Sequence, residues 1–498
     1  MTESGVSRAE PGAARQAGER AVKNTLFRAV GEIGGKLASL VLFAVLARKV
    51  STGSLGTFVF ALAWGEVAMT PVGLGIDRYM LRRVAKDRSM VDRMFFNALA
   101  LKLSRGVPIL ASSMGLVLLL GYDEERALTV VLITAGMLLE TLARTHMSVF
   151  NALERGDLVA ITIVAQRFVA ALLGLAALVA GMGLIAVAAA FAIGGALRLA
   201  LAALLLHRRI GTPVRAFPPT ERRELTSRSL AFTAQDVFGL VIARADVLLL
   251  AALASSAVVG IYGSAYRLLD ATTFIGVSLA GAFSAMFSYL DHDSEPTVRA
   301  VFQRAVKLSL VTLVPVAVSF AILAEPICRL VFGDALAVAA VPLRILAPVV
   351  AIWGMVVLAG SLVVSREDPK RMLRVVAVAA VANLGLNLAL IPPLDEKGAA
   401  LAMLLSTVLY VALAMGIAVR SVRGVSVVAT VVPPLGAGAA MAIPMAALPG
   451  LLPLALLAGA IVYLGVYVLL ERAFAPLDLE FALSMVRARL RPKKAAAQ

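Results

Sequence analysis

Ten cations and seven acids fall within or at the edges of strongly apolar stretches of this sequence. The cations are Lys36, Arg78, Lys102, Arg105, Arg144, Arg167, Arg198, Arg244, Arg267 and Arg344; the acids are Glu32, Glu66, Asp77, Glu140, Asp236, Asp246 and Asp270. In a membrane-crossing helix each such charge costs about 2.5–3.5 kcal/mol at the bilayer centre. So many of them require a wet cavity between helices rather than contact with lipid. The chemistry available to such a set is ion binding, and the surplus of three cations favours an anionic substrate. A surplus of acids would point to a cationic drug.

Each charge also has a plainer reading. Glu32/Lys36 and Glu140/Arg144 are spaced i,i+4, and Arg267/Asp270 i,i+3, so these can neutralise one another along one helix. Arg144 and Arg198 lie near expected cytoplasmic ends, where long side chains snorkel; Asp77 and Arg78 sit at an interface, and Lys102 and Arg105 share a face. Arg167 and Arg244 are deeper, with no partner on their own helix. Arg244 and Asp246 are two residues apart, about 200° around a helix, so they should not pair. Arg267 or Arg344 are the expected partners of the acid.

The composition requires a membrane. Of the 498 residues 60% are hydrophobic, and with the 39 glycines the apolar share is roughly 68%, against about 45–50% in soluble chains. Charged residues are only 16%, and the mean hydropathy is +0.91. Water-soluble enzymes and nucleic-acid binders are excluded. Cys328 is the sole cysteine, so neither an intramolecular disulfide nor a thiolate metal cluster can form within the chain. His146, His207 and His292 are too scattered to suggest a metal site. Residues 1–23 lack an apolar core, so no cleavable signal is expected and the first span directs insertion.

Apolar runs of about 20 residues are long enough to cross a bilayer as helices. Fourteen are expected, near 26–47, 56–76, 96–120, 127–149, 158–180, 183–206, 229–252, 259–288, 301–323, 338–363, 372–392, 397–419, 425–446 and 450–470. With the amino terminus inside, tails and even-numbered loops with their flanks hold 32 basic residues and odd-numbered loops five. That asymmetry is the positive-inside pattern and places both termini in the cytoplasm. It also accounts for the net charge of +16 without a nucleic-acid partner. The longest loop, 207–228, is cytoplasmic, and no external loop is large enough for a catalytic domain.

A shift of 204 residues places Leu46–Ala61 on Leu250–Ala265 without a gap. Gly56 meets Gly260, Phe58 meets Tyr262 and Glu66 meets Asp270; upstream, Glu32 meets Asp236 and Gly35 meets Gly239. The repeat begins at spans 1 and 7. An even number of spans per repeat makes the two halves parallel, as in transporters that alternate access between two lobes. The expected fold is therefore an all-α polytopic membrane protein of about fourteen helices, in two six-helix lobes plus two extra helices. Residues 1–23 form a cytoplasmic tail, 24–206 an N-lobe of helices 1–6, and 207–228 a cytoplasmic inter-lobe linker. Residues 229–424 form a C-lobe of helices 7–12, and 425–472 helices 13 and 14. Residues 473–498 read as an interfacial amphipathic helix or as a solvated basic tail.

Three motifs resemble the polysaccharide-flippase (Wzx-like) branch of the multidrug/oligosaccharidyl-lipid/polysaccharide exporter superfamily. They are Leu46-Ala-Arg-Lys-Val-Ser-Thr-Gly-Ser-Leu-Gly-Thr-Phe, Gly73-Leu-Gly-Ile-Asp-Arg-Tyr-Met-Leu-Arg82, and Arg244-Ala-Asp-Val-Leu-Leu-Leu followed by Val259-Gly-Ile-Tyr-Gly-Ser-Ala-Tyr-Arg267. The first departs from the family pattern, with Val-Ser-Thr-Gly in place of a leucine-glycine element. The resemblance implies a transporter, not an enzyme, of the bacterial cytoplasmic membrane. It implies a substrate of polyprenyl-pyrophosphate-linked oligosaccharide, flipped outward by alternating access for surface polysaccharide synthesis. Membrane lipids, a polysaccharide polymerase and assembly proteins are its implied partners. A pyrophosphate needs cations in a low-dielectric cavity, and Arg forks bind its oxygens bidentately. Arg244 and Arg267 are the first candidates, then Arg344, Lys36 and Arg167. Glu32, Asp236, Asp246 and Asp270 would organise those cations or couple protons or sodium; no other cofactor or metal is expected. A cation-coupled multidrug exporter and a lipid II flippase are the alternatives.

Overall fold

The computed structural model describes Gly31 and residues 34–474, except 74, 120, 212–218, 290–294, 367–368 and 423. Every regular element among the described residues is a helix. Residues 34–49 form α1, followed by α2 (Thr52–Gly73), α3 (Ile76–Lys86), α4 (Met90–Leu119), α5 (Glu124–Ala152), α6 (Gly156–Val179), α7 (Gly183–Arg209) and α8 (Pro219–Leu253). Then come α9 (Ser256–Tyr289), α10 (Glu295–Ile322), α11 (Ala324–Phe332), a 3-10 turn (Asp334–Ala339), α12 (Ala340–Arg366), α13 (Pro369–Ser421), α14 (Val427–Ala447) and α15 (Leu452–Phe474). Ten of these helices are long and apolar enough to cross a membrane. Apolar side chains such as Leu119, Val179, Val381, Ile443 and Leu464 point outward from them, as a lipid-facing surface requires.

α13 holds two of the expected spans. Pro392 and Pro393 end the first limb, Asp395 takes non-helical angles (φ 48°, ψ −126°), and the chain turns back. Asn383 Nδ2 on one limb donates to Ser406 Oγ on the other at 2.9 Å. With these limbs, α1, α8 and α9, fourteen helical segments stand where fourteen spans were expected. The short helices α3 and α11 were not expected. Both are amphipathic, and their charged faces made them read as loop.

The chain divides into two compact units between Leu240 and Val241, within α8. Of the expected linker, residues 207–209 close α7 and 219–228 open α8; 212–218 lie outside the described residues. The first unit is built around α5, which packs on α2, α3, α4 and α7. Its crossing with α7 is a glycine contact: a Cβ on Gly195 would stand 2.7 Å from the Gly136 carbonyl oxygen. Small residues let membrane helices approach this closely. α12 has the central place in the second unit, packing on α9, α10 and α13, while α14 packs on α10 and α15.

The repeat is visible in the backbone. α1 ends at 49 and α8 at 253; α2 begins at 52 and α9 at 256. In the first turn the amide of Ser54 donates to Ser51 Oγ at 3.0 Å, and in the second Val258 donates to Ser255 Oγ at 3.4 Å. Leu46 and Leu250 are both fully buried beside these turns. A similar contact recurs in spans 3 and 9, three residues out of that register at an offset of 207. Ser112 Oγ donates to the Pro108 carbonyl at 2.6 Å in α4, and Ser319 Oγ to the Pro315 carbonyl at 2.7 Å in α10.

Candidate functional site: intramembrane charges in two units

In the second unit, Asp246 on α8 is fully buried. Its Oδ1 accepts from the Val247 amide at 2.7 Å, and its Oδ2 accepts a short hydrogen bond from the hydroxyl of Tyr262 on α9. The expectation of Arg267 or Arg344 as its partner is therefore corrected. A tyrosine hydroxyl reaches the acid because the α8–α9 turn brings positions 246 and 262 face to face. Arg244, whose charge also acts on Asp246, lies over the ring of Tyr266, 5.4 Å from its centroid. The Tyr266 hydroxyl donates to the Ala243 carbonyl at 3.4 Å, and the two tyrosine rings are 6.1 Å apart. Arg267 follows Tyr266 on α9 and is partly exposed, as is Asp270 one turn later. The Asp270 carbonyl and Oδ1 accept from Thr273 Oγ1 at 2.8 and 3.5 Å.

The duplicated frame shows how specific this cluster is. At the equivalent places in the first unit stand Leu40 for Arg244, Leu42 for Asp246, Phe58 for Tyr262, Leu62 for Tyr266 and Ala63 for Arg267. The same backbone turn thus carries a polar, cationic set in one unit and an apolar one in the other. A fold requirement would act on both.

The first unit has its own network, on other helices. Lys102 of α4 is fully buried and donates to Asp77 Oδ1 at 2.6 Å and to the Thr141 carbonyl at 2.8 Å. Beside Asp77 on the first turn of α3, Arg78 pairs with Asp236 at 2.7 Å; these side chains are 51% and 31% exposed. Exposed Arg144 acts electrostatically on both Lys102 and Asp236. Arg105 donates to Thr226 Oγ1 at 3.1 Å. Charges that stay partly exposed here, and are held to acids, mark a wetted region. Gly75 allows this arrangement: its left-handed backbone (φ 68°) turns the chain out of α2 into α3.

Two further expectations change. Glu140 does not rely on Arg144: it accepts from Gln166 Nε2 and pairs with Arg198 at 3.7 Å, while Arg198 also donates to Gln166 at 3.0 Å. Arg198 is thus held within the bundle, not snorkelling. Arg344 stands exposed in the first turns of α12, its charge acting on Cys328 of α11. Arg167 lies along α1: a Cβ on Gly35 would meet its Cδ at 2.5 Å, which puts the guanidinium beside the segment carrying Lys36. Glu32 lies outside the described residues, and no group of side chains among the described residues could hold a metal ion.

Tyr262, Tyr266, Asp77 and Lys102 were missed or discounted as site residues. For the tyrosines a signal was present: Tyr262 adds a hydroxyl where the repeat has Phe58.

A family model described as polysaccharide biosynthesis protein matches residues 21–290. No curated protein matches the chain by sequence. Among solved structures, the lipid II flippase MurJ in an inward closed conformation superposes with a TM-score of 0.74 at 13% identity, covering 90% of this chain and 99% of that one. An inward-facing multidrug resistance MATE transporter gives 0.64 at 14% identity over 80% and 98%. A superfamily transporter from Pyrococcus furiosus, with a binding pocket of reverse polarity, gives 0.57 at 13% identity over 81% and 95%. The fold is that of the multidrug/oligosaccharidyl-lipid/polysaccharide exporter superfamily of multi-pass membrane transporters, and the chain belongs to the polysaccharide biosynthesis protein family.

Proposed function

We propose that this protein flips polyprenyl-pyrophosphate-linked oligosaccharide repeat units from the cytoplasmic to the outer leaflet of a bacterial cytoplasmic membrane. The observation that carries this reading is the cationic set on α8 and α9, present in one unit and replaced by apolar residues at equivalent places in the other. Arg244 and Arg267 supply guanidinium forks for the diphosphate. Tyr262 fixes the position of Asp246 beside them through its hydroxyl. In the first unit, Arg78, Lys102 and Arg144 form a separate group of cations on α3, α4 and α5. Arg167 and Lys36, on α6 and α1, are the further candidates of the first unit, whereas exposed Arg344 is assigned a lesser part in the second. Sugars would meet the tyrosine and threonine hydroxyls, and the lipid chain would stay in the bilayer. Asp236 and Asp270 are the candidates for coupling transport to protons or sodium. Family membership supports a polysaccharide pathway, with a polymerase and assembly proteins as the expected partners.

Deleting the gene and measuring lipid-linked oligosaccharides by mass spectrometry tests the reading. Completed repeat units should accumulate on polyprenyl pyrophosphate while surface polysaccharide is lost, and Arg244→Gln with Arg267→Gln should reproduce this. Unchanged glycolipids with new sensitivity to cationic drugs would overturn it in favour of multidrug export. The superposition on a lipid II flippase favours a second diphosphate lipid; accumulation of lipid II in the deletion strain would select it.

A further inference from the structure

The helix α3 has two faces. Ile76, Met80 and Val84 recur every four residues, are fully buried, and join a core with Phe95, Met147, Phe150 and Leu206. Outside that buried stripe stand Arg82 and Lys86, with Arg83 at its flank, followed by Arg88 in the turn and Arg93 at the start of α4; all five are exposed. Asp87 and Asp92 are the acids in this stretch, leaving it with a net charge of +3. α3 is an 11-residue helix, too short to cross a bilayer. It follows span 2, on the side that the Lys/Arg asymmetry makes cytoplasmic.

We infer that this face of α3 docks anionic phospholipid headgroups of the cytoplasmic leaflet. Three features select that occupant. The cations are at the end of a span, at headgroup level. They are clustered on one short amphipathic helix rather than spread through a long loop. Burial of the apolar face fixes the helix, so the basic arc is presented without an ordering cost. A cation near an anionic leaflet contributes about a fivefold change in binding, screened by salt. The same helix carries Asp77 and Arg78, which hold Lys102 and Asp236, so lipid on its outer arc bears on the intramembrane network.

The test is lipid retention by the full-length protein, measured by native mass spectrometry after exchange into mixed phosphatidylglycerol and phosphatidylcholine. This readout is independent of what the protein transports. Wild type should retain phosphatidylglycerol preferentially, less so in high salt. Arg82→Gln with Arg83→Gln and Lys86→Gln should lower that preference by roughly a hundredfold, since three cations are removed. Unchanged monodispersity and unfolding temperature confirm that this variant folds, and replacing the two arginines by lysine should keep most of the preference. As a control for general basicity, Lys370→Gln, Arg371→Gln and Arg374→Gln remove three exposed charges from the start of α13 and should have little effect. Equal loss in the control, full retention in the α3 variant, or displacement of the lipid by inorganic pyrophosphate would each overturn the proposal.

Discussion

The pair Asp246–Tyr262 can be tested against its own apolar counterpart. Replacing Asp246 by Leu and Tyr262 by Phe installs the residues that Leu42 and Phe58 already place at equivalent positions. Tyr262→Phe alone removes a hydrogen bond to a buried carboxylate, about 1.5–3 kcal/mol, and leaves that oxygen without its donor. Asp246→Leu alone leaves a fully buried tyrosine hydroxyl unpaired, about 1–3 kcal/mol. The double variant removes both polar groups and should be close to neutral. The expected coupling is therefore about 2.5–6 kcal/mol, the sum of the two single effects, whereas ordinary interhelical hydrogen bonds in membranes average about 0.6 kcal/mol. Equilibrium unfolding of the four proteins in one detergent measures it. A double variant as damaged as the two singles summed would refute the reasoning, because each residue would then stabilise the fold independently of the other. If the double variant is stable, its transport activity isolates the function of the pair from its folding role.

Other outcomes follow from particular contacts. Lys307 and Glu471, nearly buried and 2.8 Å apart, tie α10 to α15, beside the Tyr463 hydroxyl bond to the Val311 carbonyl at 3.0 Å. Lys307→Met should destabilise by about 3–5 kcal/mol through the acid left behind, and Lys307→Met with Glu471→Leu should recover most of that in the same unfolding assay. Gly195→Ala pushes a methyl onto the Gly136 carbonyl and should cost about 1–3 kcal/mol. Gly115→Ala, where a Cβ meets nothing within 4 Å, should leave thermal unfolding unchanged or slightly improved. In the turn between α3 and α4, the Ser89 hydroxyl and amide donate to Asp87 and hold its carboxyl below the usual 3.8. A depressed folded value means that this turn's contribution is present above the ordinary carboxylate range and lost as pH falls through the lowered one. Ser89→Ala should move the Asp87 titration, followed by NMR, upward toward 3.8; an unmoved titration would reject the hydroxyl as the cause.

The sequence made the spans readable because length and hydropathy decide them, and the Lys/Arg asymmetry decides their sense. The turn at 51 and 255 was readable for a different reason: a serine side chain caps its own helix, so the information is local. Pairing across helices was not. Glu140 was expected to use Arg144 one turn away, yet Gln166 and Arg198 on neighbouring helices reach it, a choice set by helix rotation rather than spacing. Lys102 was read only as sharing a face with Arg105, because its acid, Asp77, comes from a short helix that charge disguised as loop. Helix geometry rightly denied Asp246 a direct hydrogen bond from Arg244, although that charge still acts on it. Its true partner, Tyr262, sits on the next helix, and spacing along α8 alone does not reveal it.

The shared turn with unshared side chains bears on how such a protein could acquire its chemistry. Were the two units separate copies of one half-length chain, any arginine or aspartate introduced at 244 or 246 would also appear in its twin, doubling a buried charge that only one copy can use. Fusion into a single chain lifts that constraint. One unit can keep leucine and phenylalanine at these places and remain a plain scaffold, while the other accumulates ionisable groups one compatible pair at a time.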